Sequence, residues 1–174
     1  AVRIFNVLDL KPSVMEKEGA IEMPPFKRGI IFKNVSFKYE DEEVLKDINL
    51  EVESASIIAL VGPSGVGKTT LVNLIPRFYD PTKGAITIDG IDIKDVKFKS
   101  LRDQIGIVTQ DTILFNDTVK ANISYGRQEA SMDEIISVAK KAQAHDFIMK
   151  MPKNYDTVIG EMGFKLSGGE KQRI

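Results

Sequence analysis

Hydrophobic and polar positions change rhythm along the chain, and each rhythm predicts an element. IIFKNVSFKY (30–39) alternates, with Val35, Phe37 and Tyr39 on one face, and LKDINLEV (45–52) alternates again with Ile48, Leu50 and Val52. Period-two patterns of this kind predict two half-buried antiparallel strands. SIIALV (56–61) does not alternate, and a continuous apolar run bounded by turn residues predicts a strand buried on both faces. KGAITIDGIDI (83–93) predicts a hairpin, because Asp89 and Gly90 supply the positive φ angles of a tight turn between two alternating runs. IGIVTQ (105–110) predicts another short strand. Further on the period lengthens: SMDEIISVAKKAQ (131–143) places Met132, Ile135, Ile136, Ala139 and Ala142 on one helical face, with Ser131 and Glu134 as a capping box.

Ahead of the first strand, Val2, Ile4, Phe5 and Leu8 fall near helical spacing until Pro12 stops the pattern, so the chain reads as opening midway through a helix. Residues 11–28 hold Pro12, Gly19, Pro24, Pro25 and several charges, a linker-like stretch that places a domain boundary near Gly29. Composition adds exclusions. The 174 residues are 43% hydrophobic and 28% charged, enough for one sizeable core. Lys and Arg number 24 against 25 Asp and Glu, so the charge carries no footprint of a nucleic-acid partner. The lack of cysteine excludes disulfides, thiolate metal sites and a thiol nucleophile. The longest apolar run, Ile57 to Val61, is far short of the ~20 residues that span a bilayer, which predicts a soluble polypeptide as the sequence stands.

The chemistry enters at GPSGVGKTT (62–70), which fits GxxxxGK followed by Ser or Thr and lies between the continuous apolar run and a plausible helix, KTTLVNLI (68–75). A triphosphate is best held by many inward-turned backbone N–H groups, and Gly62, Gly65 and Gly67 let the chain wrap that closely, with Pro63, Ser64 and Val66 between them. Lys68 would reach the β and γ phosphates as a point charge, Thr69 would complete the shell of a hydrated Mg²⁺, and Thr70 closes the motif. No Asn-Lys-x-Asp is present for guanine; KNYD (153–156) reads as a polar turn.

A second motif, LSGGE (166–170), resembles the signature of the ATP-binding cassette (ABC) family, and the resemblance extends from Ile30 to Ile174. RFYDPTKGAITIDG (77–90) resembles the segment after the phosphate loop in exporter-type cassettes, and IGIVTQDTILFNDTVKANISYG (105–126) their Q-loop region. The fold this implies is α/β: a P-loop NTPase (RecA-like) core over 29–110 with an antiparallel β subdomain, and an α-helical subdomain over 111–174, incomplete at the C-terminus. Residues 1–28 would then be the end of a membrane-domain helix and a linker. The resemblance implies that Tyr39 stacks on adenine and that Gln110 binds Mg²⁺ and water near the γ phosphate while sensing the membrane domain. On their own residues, both also read as ordinary polar strand ends.

In the family, Ser167, Gly168 and Gly169 close over ATP held by the phosphate loop of a partner cassette, in a head-to-tail dimer with ATP sandwiched; taken alone, Ser167 is a helix cap. IGEMG (159–163) resembles the loop that meets the coupling helices of the transmembrane domain in exporters; Glu161 matches, whereas Met162 stands where a basic or amide residue is more usual. ATP and Mg²⁺ are the implied cofactors. The implied protein is an ATPase at the cytoplasmic face of a membrane, a bacterial inner membrane by similarity to bacterial lipid and multidrug exporters. The family's Walker B strand, catalytic glutamate and switch histidine lie beyond the signature, so this chain is expected to bind ATP–Mg²⁺ at most, with unpaired sheet edges, poor solubility and a weakened site. Asp89 and His145 are no substitutes: the first reads as a hairpin turn, the second as a surface or packing residue. A fragment of a soluble ABC ATPase acting on nucleic acid and a non-catalytic ATP-binding module stay open as alternatives.

Overall fold

The computed structural model describes Phe5, residues 12–164 and residues 166–174. The helical pattern at Val2, Ile4 and Leu8 lies outside the described residues. The chain forms two compact units, Ala1–Gly106 and Ile107–Ile174.

The first unit is built on an antiparallel sheet of β1 (Gly29–Tyr39), β2 (Glu42–Glu53), β3 (Lys83–Ile88) and β4 (Ile91–Asp92), in the order β2-β1-β3-β4. On β2 the alternation behaves as written: Ile48, Leu50 and Val52 are half-buried and the residues between them exposed. On β1 the buried apolar residues are Phe32, Val35 and Phe37, three residues apart and then two, with Ser36 buried between the last two. The register slips between Phe32 and Val35, and Asn34 takes φ 49°. A bulge of this kind adds one residue to one strand and shifts the phase of everything after it. Asp89 and Gly90 take φ 53° and 86°, the turn expected between β3 and β4. Helix α1 (Lys68–Leu74) buries Leu71 and Leu74 in the same core as Phe32, Val35, Ile86 and Ile88. Helix α2 (Phe98–Arg102) adds Leu101.

Two of the predicted strands do not form. Residues 56–61 have no regular structure, and Ile57 and Val61 are 97% and 89% exposed where burial on both faces was expected. The turn at Ser54 and Ala55 carries the chain off the end of β2, and no described strand pairs with residues 56–61. Residues 105–110 are likewise irregular, with Ile107 and Val108 exposed. An apolar run becomes a strand only when neighbours satisfy its backbone groups, and pattern alone does not supply them.

The proline-bearing segment before β1 is packed into the first unit. Ile21 bridges Val96, Met23 is buried, and Gln104 donates to the carbonyls of Met23 and Pro24 while accepting from Phe26 N–H. The Asp89 carboxylate accepts from the N–H groups of Gly29, Arg28 and Lys27, which hold its pKa below the usual carboxylate range. Arg77, 3% exposed, donates to Asp80 and to the carbonyls of Met15, Ile93 and Lys94. Hydrophobic patterning does not announce such an arginine, because a buried guanidinium is tolerated only where its donors find acceptors.

The second unit holds helices α3 (Val119–Ile123), α4 (Met132–Lys141), α5 (His145–Ile148) and α6 (Gly168–Arg173). Helix α4 carries the full capping box, Ser131 with Glu134, and buries Ile135 and Ala139. Met132 and Ala142 are exposed, correcting the wider apolar face: the helix stops at Lys141, and Gln143 turns away with φ 57°. His145 Nδ1 and the Tyr155 hydroxyl share a hydrogen bond at 2.8 Å inside the second unit, and burial raises the Tyr155 pKa. KNYD forms a turn, its last three residues a short 3₁₀ helix. No described helix is long and apolar enough to cross a membrane.

Candidate functional site

The phosphate-loop motif folds as a glycine-hinged approach to α1. Gly65 and Gly67 take φ 83° and 92°, and Gly62 takes φ 153°, angles that side chains with a Cβ rarely adopt. Gly67 carries a second demand. A Cβ there would lie 2.9 Å from Leu45 Cδ2 and from Val44 Cγ1, so the close seat of the loop on β2 also requires glycine. At Gly65 the space is open, so only backbone conformation demands glycine. Gly67 is the N-cap of α1, and no side chain caps this end. Loop N–H groups are therefore not claimed by the protein's own carboxylates or hydroxyls through such a cap.

Lys68 turns back into this loop. Its Nζ donates to the carbonyls of Gly62 at 3.0 Å and Pro63 at 2.6 Å. Two carbonyl dipoles hold the ammonium at the mouth of the loop. Pro63, Ser64 and Val66 are exposed there, Thr69 is exposed, and Thr70 is buried beneath them. Tyr39 belongs to the same unit: its hydroxyl lies 3.5 Å from Thr70 Oγ1, which links the end of β1 to the first turn of α1.

Gln110 and the signature residues lie in the second unit. Gln110 is exposed on a bend, next to Thr109, whose hydroxyl donates to the carbonyl of Asp111. Ser167 is the N-cap of α6. Its Oγ accepts from Glu170 N–H, and the Glu170 carboxylate accepts from Ser167 N–H and Oγ, each at 2.8 Å. These bonds, the backbone one first, hold the Glu170 pKa below its ordinary value. Gly168 and Gly169 stand in the first turn with nothing within 4 Å of a notional Cβ, so no contact among the described residues requires glycine there. Glu161 opens a 3₁₀ turn after Gly160 (φ 78°), and Met162 is exposed at φ 50°.

Among the described residues, no group of three or more His, Cys, Asp or Glu could hold a metal ion. A divalent cation at this loop would rely on the Thr69 hydroxyl together with the oxygens of its anionic ligand. Tyr39 has a second aromatic neighbour that the strand pattern does not show. Phe37 and Tyr79 both pack their rings against it, and the alternation of β1 pointed only to Phe37.

A glycine-hinged loop with an inturned lysine, feeding an uncapped helix beside a sheet, defines a P-loop module. The chain belongs to the ABC transporter family, whose sequence profile matches residues 45–174. It is 58% identical over 174 residues to an ATP-dependent lipid A-core flippase of Syntrophus aciditrophicus, covering 100% of this chain and 29% of that protein. It is 50% identical over 174 residues to a putative multidrug export ATP-binding/permease protein of Bacillus subtilis, covering 99% and 30% respectively. A solved bacterial Atm1-family ABC exporter with ATP bound superposes with a TM-score of 0.93 at 47% identity, over 99% of this chain and 30% of that one. The fold class expected from the resemblance is thereby shown: a P-loop nucleotide-binding domain of ABC type, with an antiparallel sheet and a helical part. The chain spans just under a third of the length of the curated relatives it matches.

Proposed function

We propose that this chain is the ATP-binding part of an ABC exporter whose complete form couples ATP binding and hydrolysis to export of a lipid or drug-like substrate across a bacterial inner membrane. The observation that carries the reading is Lys68, held by the carbonyls of Gly62 and Pro63 at the start of an uncapped helix. A phosphate oxygen offers that ammonium a full negative charge in place of two dipoles, so a triphosphate can draw it out of its resting contacts. Backbone N–H groups of Gly62, Ser64, Gly65, Val66 and Gly67 would then cradle the phosphates, with Thr70 buried behind them. Tyr39 offers a ring to adenine.

Thr69 and Gln110 would hold Mg²⁺, which when bound neutralises phosphate charge. Ser167, Gly168 and Gly169 would lie over the ATP of a second cassette in a head-to-tail dimer. The open space around both glycines among the described residues supports this. Gln110 and Glu161 would face the coupling helices of a transmembrane domain. Residues 1–28 would lead from that domain, 29–110 would form the β subdomain and phosphate-loop core, and 111–174 the helical subdomain.

The full-length protein reconstituted in vesicles should bind ATP–Mg²⁺ and hydrolyse it, with turnover stimulated by lipid or an amphiphilic drug. Absence of ATP binding would sink the nucleotide reading. ATPase activity that responds to nucleic acid and to no lipid or drug would replace the exporter with a soluble ABC ATPase. This chain by itself should show ATPase at background and poor solubility. Its apolar residues Ile57, Ile58, Val61, Ile107 and Val108 are exposed, a surface that promotes association.

A further inference from the structure

Tyr39 is one of three rings in contact. Phe37, two residues earlier on β1, meets it with centroids 4.8 Å apart at 88°, and Tyr79 meets it at 5.2 Å and also 88°. Phe37 and Tyr79 lie 5.4 Å apart, tilted by 51°. Phe37 is buried and Tyr79 is half-buried against the same core, whereas Tyr39 is 39% exposed. The two inner rings are thus held by the core, and the outer ring leans on them. Near-perpendicular contact is a favoured arrangement of aromatic quadrupoles. Both neighbours meet Tyr39 almost perpendicularly, so neither is stacked parallel on it.

The turn that carries Tyr79 is fixed at both ends. It leaves α1 with Arg77 N–H on Leu74 O at 3.1 Å and Phe78 N–H on Asn73 O at 3.2 Å. Buried Arg77 then ties the turn to Asp80 and to the carbonyls of Ile93 and Lys94. At its far end Thr82 N–H donates to Ser36 O at 2.8 Å, and Lys38 N–H donates to Thr82 Oγ1 at 3.3 Å. Ser36 and Lys38 are the two residues flanking Phe37. The backbone around Tyr79 is therefore set by the helix that begins at Lys68 and by the strand that ends in Tyr39.

We infer that Tyr79 is a positioning residue for base recognition: its ring braces Tyr39 in the orientation that stacks on adenine, and so sets the preference for a nucleotide over a bare triphosphate chain. The inference rests on the reading of Tyr39 as the base platform. A half-exposed tyrosine at a strand end would otherwise lose binding free energy to being ordered on contact, and a brace removes that loss beforehand.

The test uses the full-length protein and two ligands, ATP and inorganic tripolyphosphate, the latter measured by competition. Tyr79→Leu should weaken ATP by roughly threefold to tenfold, the value of one aromatic contact, and leave tripolyphosphate unchanged. Tyr79→Phe should behave as wild type, because the ring and not the hydroxyl makes the contact. Equal weakening of both ligands by Tyr79→Leu, or ATP binding left intact by it, would overturn the proposal. Tyr39→Ala separates the two layers. If it leaves the ratio of the two affinities unchanged, the base-platform reading fails and takes the brace with it; if it collapses the ratio while Tyr79→Leu does not, only the brace fails. Should Tyr79→Leu not fold, Tyr79→Met removes the ring with a closer match in length and is held to the same outcomes.

Discussion

Two glycine-bearing turns enter helices in this chain, and they use glycine for opposite reasons. At the phosphate loop Gly65 and Gly67 have positive φ, Gly67 presses against Val44 and Leu45, and no side chain caps α1. At the signature Ser167 and Glu170 form a capping box on α6, while Gly168 and Gly169 have ordinary helical geometry and open space around them. The first turn needs glycine to fold. The second folds despite it, since glycine in a helix costs about 0.5–1 kcal/mol relative to alanine. Among the described residues nothing crowds Gly168 or Gly169, which is what the proposed lid over a partner's nucleotide needs.

Substitutions at the two turns should differ in size and in sign. Lys68→Ala in the full-length protein should lower ATP turnover about a hundredfold or more, the effect of removing a charge-stabilising group, measured as phosphate release at saturating ATP. Next, Gly67→Ala should destabilise by about 1–3 kcal/mol through left-handed strain and overpacking on β2, read as a fall in the unfolding midpoint. Ser167→Ala should cost about 1 kcal/mol, the usual value of an N-cap, seen as faster amide exchange in the first turn of α6. Gly169→Ala should do the reverse, adding up to about 1 kcal/mol to stability. If the lid reading holds, that same stabilised variant loses ATP turnover; unchanged turnover would mean that the glycine faces no partner.

The smallest expected effect is electrostatic. Glu134 and Glu170 both have pKa values lowered first by the backbone N–H of their capping serine. A group whose pKa is depressed on folding contributes stability that is present above its unfolded value and lost as pH falls through the folded one. Both caps should therefore loosen below the ordinary glutamate range and not at neutral pH. Side-chain titration by NMR would check this, with a midpoint at or above the ordinary glutamate value counting against the capping boxes.

What was legible in the sequence had local causes. The Asp89–Gly90 turn, the Ser131–Glu134 box and the cap at Ser167 each depend on residues within a few positions, and each is present. The phosphate loop was legible for the same reason, since nine consecutive residues carry its glycines and its lysine. The bulge at Asn34 was not, because alternation shows a phase but not a slip within it. The strands expected over 56–61 and 105–110 failed because a strand is defined by partners as much as by its own residues.

The chain by itself determined which residues can bend, cap, bury or carry charge, and through its two glycine motifs the family to which it belongs. Only tertiary structure decided which apolar runs gained a partner. It also buried Arg77 among carbonyls and brought Tyr79 from the turn after α1 to the ring of Tyr39. The physical reason is range: backbone angles and capping bonds act over a few residues, whereas burial and ring contacts depend on what distant segments bring to the same place.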